Sequence, residues 1–421
     1  MSDQRLAGGI LDGLADIESG LEALYRDVHE HPELSMQERR TATLAAERLR
    51  SAGYEVTEGI GGTGVVGLLS NGEGPTVMLR ADMDSLPILE ATGLPYASTA
   101  RAIGPDGQET PVMHACGHDM HVAWLAGAAT LLARSRDAWH GTVLAVFQPA
   151  EETAQGARGM IDDGLFDRFP KPDVIFGQHV MPAPAGLISC RTGTTQAAAD
   201  SLEVRLFGRG AHGSMPKSSV DPVVMAAATV LRLQTIVSRE TAATQAAVVT
   251  VGALQAGTKD NVIPDDALLK VNVRSFDENV RRRVLDAIER IVNAEAAASG
   301  APRPPEITYT EHYPLTVNDP ETTRRVAAAL RGHFGEDRVH ELAEPVSASE
   351  DFGSFGTEWG VPSVFWYVGG TDPEAYLAAE RAGRVAQDIP TNHSPTFAPV
   401  IHPTLGTGVQ AMTAAALGVL T

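Results

Sequence analysis

Four short apolar runs, TVMLR at 76–80, TVLAVF at 142–147, DVIFG at 173–177 and SVFWYV at 363–368, constrain this chain more than anything else in it. Each is too short for a helix of ordinary length. Each is also apolar at both alternating sets of positions, the pattern of a strand buried on both faces of a sheet. Helical patterns such as DMHVAWLAGAATLLAR lie between them, so the expected architecture is α/β with a mostly parallel sheet. Residues 10 to 53 read as two amphipathic helices broken at HPELS, where Pro32 stops the first and Ser35 with Glu38 can cap the second.

Between about 188 and 311 the grammar changes to strand (ADSLEVRLF), helix (DPVVMAAATVLRLQTIVSR), strand (AAVVTVGAL), strand (DALLKVNVR), helix (ENVRRRVLDAIERIVNAEAAA) and strand (PEITYTEHY). Asp221 followed by Pro222 opens the first of these helices as a cap and a proline at the first helical position. The βαββαβ order predicts an α+β ferredoxin-like sandwich. Because α/β patterns resume after it, this segment reads as an inserted domain, with residues 1–187 and 312–421 forming the two parts of the other one. A length of 421 residues independently favours more than one core.

Lys and Arg number 33 against 53 Asp and Glu, a formal charge of −20 that repels nucleic-acid backbones and anionic membrane surfaces alike. The one basic cluster, Arg281, Arg282 and Arg283, falls in a helical pattern and reads as a solvated face. No apolar run approaches the ~20 residues that cross a bilayer. The opening MSDQRLAGGILDG lacks a basic region followed by an apolar core, so a cytoplasmic location is expected. Of the two cysteines, Cys190 has no chemically suggestive neighbours and reads as a small buried residue, whereas Cys116 sits among histidines.

The stretch HACGHDMH, residues 114–121, places Cys116 and His118 around one glycine that lets both side chains aim at one place. Thiolate plus imidazole suits zinc, with other first-row metals open, and His114 and His121 are rival ligands. QPAEE, residues 148–152, follows directly on a buried strand, so Glu151 and Glu152 lie where open α/β sheets hold their ligands. Adjacent side chains there diverge, which permits one carboxylate to ligate while the other moves a proton. His179 in GQHV follows another buried strand, and His393 in NHSP lies in a loop stiffened by proline.

In order along the chain, HEHPELSMQE, RADMDSLP, HACGHDMH, QPAEE, GRGAHGSMP, NVIP, SEDFG and NHSP resemble the M20 metallopeptidases. The closer likeness is to their amidohydrolase branch of hippurate hydrolases, N-acyl-amino-acid amidohydrolases and plant indoleacetyl-amino-acid hydrolases. The resemblance spans nearly the whole chain. It implies two divalent ions (Zn, Mn, Co or Ni) held by Cys116, His118, Glu152, His179 and His393, with Glu151 as general base. It further implies that His212 reaches the partner subunit's active site to stabilise an oxyanion, and that Asn261 and Arg274 grip the substrate carboxylate. Asp84 would orient a metal ligand, and Glu350 would border the site. The inserted domain would then be a lid and the seat of a homodimer. One departure stands out. The wider superfamily uses His-x-Asp and a bridging Asp, whereas this chain has RADMD and a Cys-x-His pair, leaving Asp119 as a rival bridging group.

The function these features imply is metal-dependent hydrolysis of the amide of an N-acyl amino acid. The alternatives are a carboxypeptidase or dipeptidase of the same family, an amidase with Cys116 as nucleophile, and a metal-binding protein without activity.

Overall fold

The computed structural model describes residues 9–104 and 106–421, so the first eight residues of MSDQRLAGGILDG lie outside the described residues. The chain divides into two compact units. One comprises 1–195, 317–344 and 351–421, and the other 196–316 with 345–350. The first of these boundaries falls later than 188 because the strand Ile188–Cys190 pairs within the large sheet of the first unit. The segment 345–350 joins the second unit through an isolated bridge of Gln196 to Val346 and through Arg274, whose Nη1 donates to Ser347 O at 2.8 Å.

In the first unit eight strands run in the order Glu55–Ile60, Gly64–Asn71, Gly141–Gln148, Thr76–Asp82, Val174–Pro184, Ser363–Thr371, Ile188–Cys190 and Val339–Glu341. The central four, which contain the four apolar runs, are mutually parallel. Antiparallel pairing enters only towards the edges, where Glu55–Ile60 and Gly64–Asn71 form a hairpin and Ile188–Cys190 folds back on Ser363–Thr371. Parallel register matters for chemistry, because Asp82 pairs with Gln148 and Arg80 with Gly177, so the carboxyl ends of three strands meet on one edge.

The helix His118–Arg134 is buried along nearly its whole length. It packs on the C-terminal helix Ile401–Leu420 so closely that a Cβ on Gly408 would sit 2.1 Å from the Trp124 ring. Trp124 Nε1 donates to Thr404 O at 3.0 Å and locks that crossing. The helices Glu18–Glu30 and Arg39–Ser51 form where the sequence predicts them, with a different cap. Glu33 accepts the free N–H groups of Arg40 and Thr41 at 2.9 and 2.8 Å. Ser35 and Glu38 cap nothing and turn inward instead.

The second unit has the predicted order, and its sheet runs Ala247–Ala256, Asp266–Ser275, Ala198–Phe207, Glu306–Tyr313, with antiparallel neighbours throughout. Alternate residues Ala267, Leu269, Val271 and Val273 point into a core shared with Val280, Val284, Ile288 and Ile291 of the helix Glu278–Ala298. Asp221 caps the helix Pro222–Thr235 as expected, accepting from Val223 N at 2.9 Å. Arg281 departs from its expected solvated state. It donates to both oxygens of the buried Asp200 at 2.6 and 2.7 Å, while Arg282 and Arg283 are exposed. Among the described residues no helix is long and apolar enough to cross a membrane.

Candidate metal centre

Each of the candidate ligands is placed by a local feature of the backbone. Gly117, at φ +85, occupies the left-handed region immediately before the helix His118–Arg134, and a Cβ there would meet Val180 Cγ1 at 2.3 Å. Only glycine suits both demands. The turn lets Cys116 and His118 face the same point from opposite sides of the helix start. Glu151 and Glu152 lie in a single 3-10 turn bracketed by Ala150 (φ 48) and Ala154 (φ 55), both left-handed. Such a conformation costs about 1–3 kcal/mol for each alanine, so the surrounding contacts must hold it. Those contacts include Ala150 N–H to Glu38 Oε1 at 2.8 Å and Glu152 N–H to Asp84 Oδ2 at 3.0 Å.

His179 differs from its expected place just beyond a strand. The strand continues to Pro184 and carries His179 within it, opposite Tyr367. Its Nδ1 donates to Val180 O at 2.6 Å, which leaves Nε2 as the lone-pair nitrogen, 3.4 Å from Cys116 Sγ. His118 is oriented the same way. Nδ1 pairs with Asp84 Oδ1 at 3.2 Å, and Nε2 points inward to within 3.8 Å of Glu152 Oε1 and 3.9 Å of Glu151 Oε2. His393, left-handed at φ 69 and anchored by its N–H to Ala115 O, brings Nε2 to 3.3 Å from Glu152 Oε2. Asn392 beside it donates to Cys116 O at 3.1 Å and Val180 O at 3.2 Å, tying three ligand-bearing segments together.

These side chains form overlapping donor groups, within each of which the donor atoms lie no more than 4.8 Å apart. Three such groups are Cys116, His118 and His179; Cys116, Glu152 and His393; and His118, Glu151 and Glu152, and Asp82, His118 and His121 form another. Cys116 is common to the first two. His118 Nε2 and Glu152 Oε1 are both buried without a hydrogen-bond partner. A buried polar atom left unpaired costs about 1–3 kcal/mol, and a cation bound by both would remove that cost, so the residues present fit a metal. The two glutamates diverge less than expected, since both approach His118, but only Glu152 also reaches His393.

The rival ligands differ from these in their hydrogen bonding, even though His121 lies in a donor group with Asp82 and His118. His121 uses both nitrogens, Nδ1 on Asp82 and Nε2 as acceptor for Val180 N–H at 2.9 Å. His114 is 1% exposed, and burial holds its pKa down to about 4; it joins none of the donor groups. Asp119 turns away to His29, with Oδ2 2.6 Å from its Nδ1, and is no bridge. Burial, followed by the charge of Glu152, pushes the Cys116 thiol up, which is the reverse of what an activated nucleophile requires.

Sequence reasoning missed Asp82 and the buried Arg80, which donates to Asp82 Oδ2 at 2.7 Å, to Gln148 Oε1 at 2.8 Å and to Asp351 Oδ1 at 3.0 Å. A charged residue inside an otherwise apolar strand was the available signal. Asp84 does pair with His118, and it also accepts from Ser35 Oγ at 2.6 Å.

His212, Asn261, Arg274 and Glu350 belong to the second unit. A two-residue ladder, Ala211 with Ile263 and His212 with Val262, sets His212 beside Asn261, and Gly213 N–H donates to Asn261 O at 2.8 Å. His212 Nδ1 accepts from Ser214 N–H at 3.1 Å, so the ring proton of the neutral form sits on the exposed Nε2. Arg274 Nη1 is committed to Ser347 O and, at 3.1 Å, to Ser349 Oγ. Glu350 is buried.

A model of peptidase family M20/M25/M40 matches residues 78–388. The chain is 39% identical over 350 residues to a hippurate hydrolase of Campylobacter jejuni, covering 82% of this chain and 87% of that one. It is 38% identical over 360 residues to thermostable carboxypeptidase 2 of Saccharolobus solfataricus, covering 84% and 86%. Among solved structures, a Bacillus subtilis protein described as a dinuclear metal binding peptidase from the M20 family superposes with a TM-score of 0.75 at 30% identity, covering 96% of this chain and 99% of that one.

Proposed function

The chain belongs to peptidase family M20/M25/M40, and from that premise we propose a two-metal amidohydrolase that splits N-acyl amino acids into a carboxylic acid and a free amino acid. Cys116, His118, Glu152, His179 and His393 hold the two divalent ions, with Cys116 shared between the donor groups. The observation that carries this reading is the pair of buried, unpartnered atoms, His118 Nε2 and Glu152 Oε1, at the point where the other donors converge. Bound there, two such ions supply Lewis acidity for the amide carbonyl and for the attacking water.

The protein's own groups do the rest. Glu151, on the same turn as Glu152 and 5% exposed, takes the proton of the attacking water and delivers it to the amide nitrogen, which leaves only when protonated. Asp84 fixes the His118 tautomer. His212 of a second copy donates from Nε2 to the developing oxyanion, a role its tautomer supports. Asn261 and Arg274 hold the substrate carboxylate. A homodimer through the second unit is supported by its exposed apolar residues, Val224 and Leu231 on the helix Pro222–Thr235 and Val248 and Leu254 on the edge strand Ala247–Ala256. A ligand thiolate suits the reducing cytoplasm, where we place the enzyme.

The similarity to a carboxypeptidase keeps one second reading, hydrolysis of true peptide bonds. The test is metal analysis together with a screen of N-acetyl, N-benzoyl and indoleacetyl amino acids alongside dipeptides, before and after chelation. Hydrolysis should vanish in the metal-free protein and return with Zn, Mn, Co or Ni. Full activity without metal would overturn the proposal and favour a thiol route. Mixing His212→Ala with Glu151→Gln chains should recover part of the activity through hybrid dimers. No recovery would confine the site to one chain.

A further inference from the structure

The segment HEHPELSMQE contributes no candidate ligand and no proton carrier, and while Glu30, His31 and Gln37 are exposed, three of its other side chains turn toward the site. All three stop one residue short of it. His29 meets Asp119, the neighbour of His118. Ser35 donates to Asp84, which holds both the His118 ring and the Glu152 N–H. Glu38 is fully buried, and its Oε1 accepts from Met36 N–H at 2.9 Å and from Ala150 N–H at 2.8 Å, while Thr63 Oγ1 donates to its Oε2 at 2.6 Å. Met36 and Ala150 are both non-glycine residues in the left-handed region. One carboxylate therefore braces two backbone positions that are each disfavoured alone, and the second of them precedes Glu151 directly.

We propose that Glu38 is a positioning residue of the reaction: by holding the left-handed Ala150 it aims the Glu151 and Glu152 carboxylates. This rests on the reading of Glu151 as the base. A purely structural glutamate would be expected to leave its mark on stability. A positioning one changes the rate in protein that is folded and saturated with metal, because displacing Glu151 affects proton transfer without touching the groups that bind substrate. The carboxylate's negative charge is not what the turn needs. A glutamine keeps the carbonyl oxygen that Met36 and Ala150 donate to, and its amide can donate to Thr63 Oγ1.

The experiment compares Glu38→Ala, Glu38→Gln and Thr63→Val as metal-saturated enzymes on an N-acyl amino acid, with melting temperature and metal content measured alongside. Glu38→Ala should lose about 10–100-fold in kcat, the range typical for groups one step behind a metal site, with KM little changed. Glu38→Gln should stay within about threefold of the parent, and Thr63→Val, which removes one brace on the carboxylate, should lower kcat by about 5–10-fold. Parent-like kcat in Glu38→Ala, even with a lowered melting temperature, overturns the proposal, as does a Glu38→Gln variant as slow as Glu38→Ala. Should the alanine variant fail to fold, Thr63→Val decides: a lowered kcat at constant KM supports the proposal and parent-like kinetics overturn it. Glu151→Gln is measured in parallel. If it is inactive while the Glu38 series is flat, the base assignment survives and the positioning role does not. If Glu151→Gln is itself active, the base reading falls first.

Discussion

His118 and His121 stand three residues apart on one buried helix, their rings stacked with centroids 5.3 Å apart, and the sequence offered the second as a rival to the first for a metal. Their surroundings divide them. Around His121 the polar atoms are matched, through Asp82, Arg80, Gln148, Asp351 and the Val180 N–H, in a buried hydrogen-bonded network. Around His118 the orienting bond to Asp84 is made, and the inward nitrogen has no partner. Both histidines are buried, and each has an aspartate against its Nδ1. What sets His118 apart is an unpaired nitrogen that also lies among other donor atoms, a combination His121 lacks because both its nitrogens are matched and His114 lacks because, though unpaired, it lies in no donor group.

The largest expected effect is at the incomplete cluster. His118→Ala should lose hydrolysis by several orders of magnitude and should no longer gain melting temperature when metal is added back to the stripped protein. The second effect falls on the complete cluster. His121→Ala leaves Asp82 without one of its buried partners and should cost about 3 kcal/mol in denaturant unfolding, while metal still raises its melting temperature. If the two variants respond alike to metal, the distinction between the clusters is broken.

The smallest effect sharpens the comparison at a third histidine. Burial opposes charge on His29, but Asp119 and Glu90 outweigh it and raise its pKa to about 9 from 6.5. The neutral His114 and the rings of Tyr25 and Tyr96 also face it. A histidine pKa raised on folding stabilises fully below 6.5, and the contribution disappears as pH rises through about 9. The stability advantage of the parent over His29→Gln should therefore shrink across that window. A difference that stays flat from pH 6 to 9 would show that His29 is a neutral packing group.

How much of this was legible in the sequence follows the distance over which each interaction acts. Two-faced apolar runs and the βαββαβ order are local signals, and they delivered the sheet of the first unit and the sandwich of the second. Cys116 and His118 were legible at a glycine turn and Glu151 and Glu152 at a strand exit, whereas His179 lies within its strand and His393 in a loop, and only the family resemblance joined them to the set. What failed were partners chosen across the chain. Ser35 and Glu38 fit a capping pattern, but Glu33 took the cap because Asp84 and Ala150, 49 and 112 residues away, claimed the other two. Arg80 and Asp351, 271 residues apart, left no trace that a window of residues could contain.

The strand Ser363–Thr371 sits inside the sheet beside Val174–Pro184, and His393 follows it, yet both are encoded after the whole of the segment 196–316. A nascent chain leaving the ribosome therefore displays four of the five proposed donors early, on a half-built sheet in which Val174–Pro184 is paired on one side only. Completing the proposed five-residue donor set waits on the chain as far as His393, and a chain released before Ser363 should be expected to retain a sticky sheet edge.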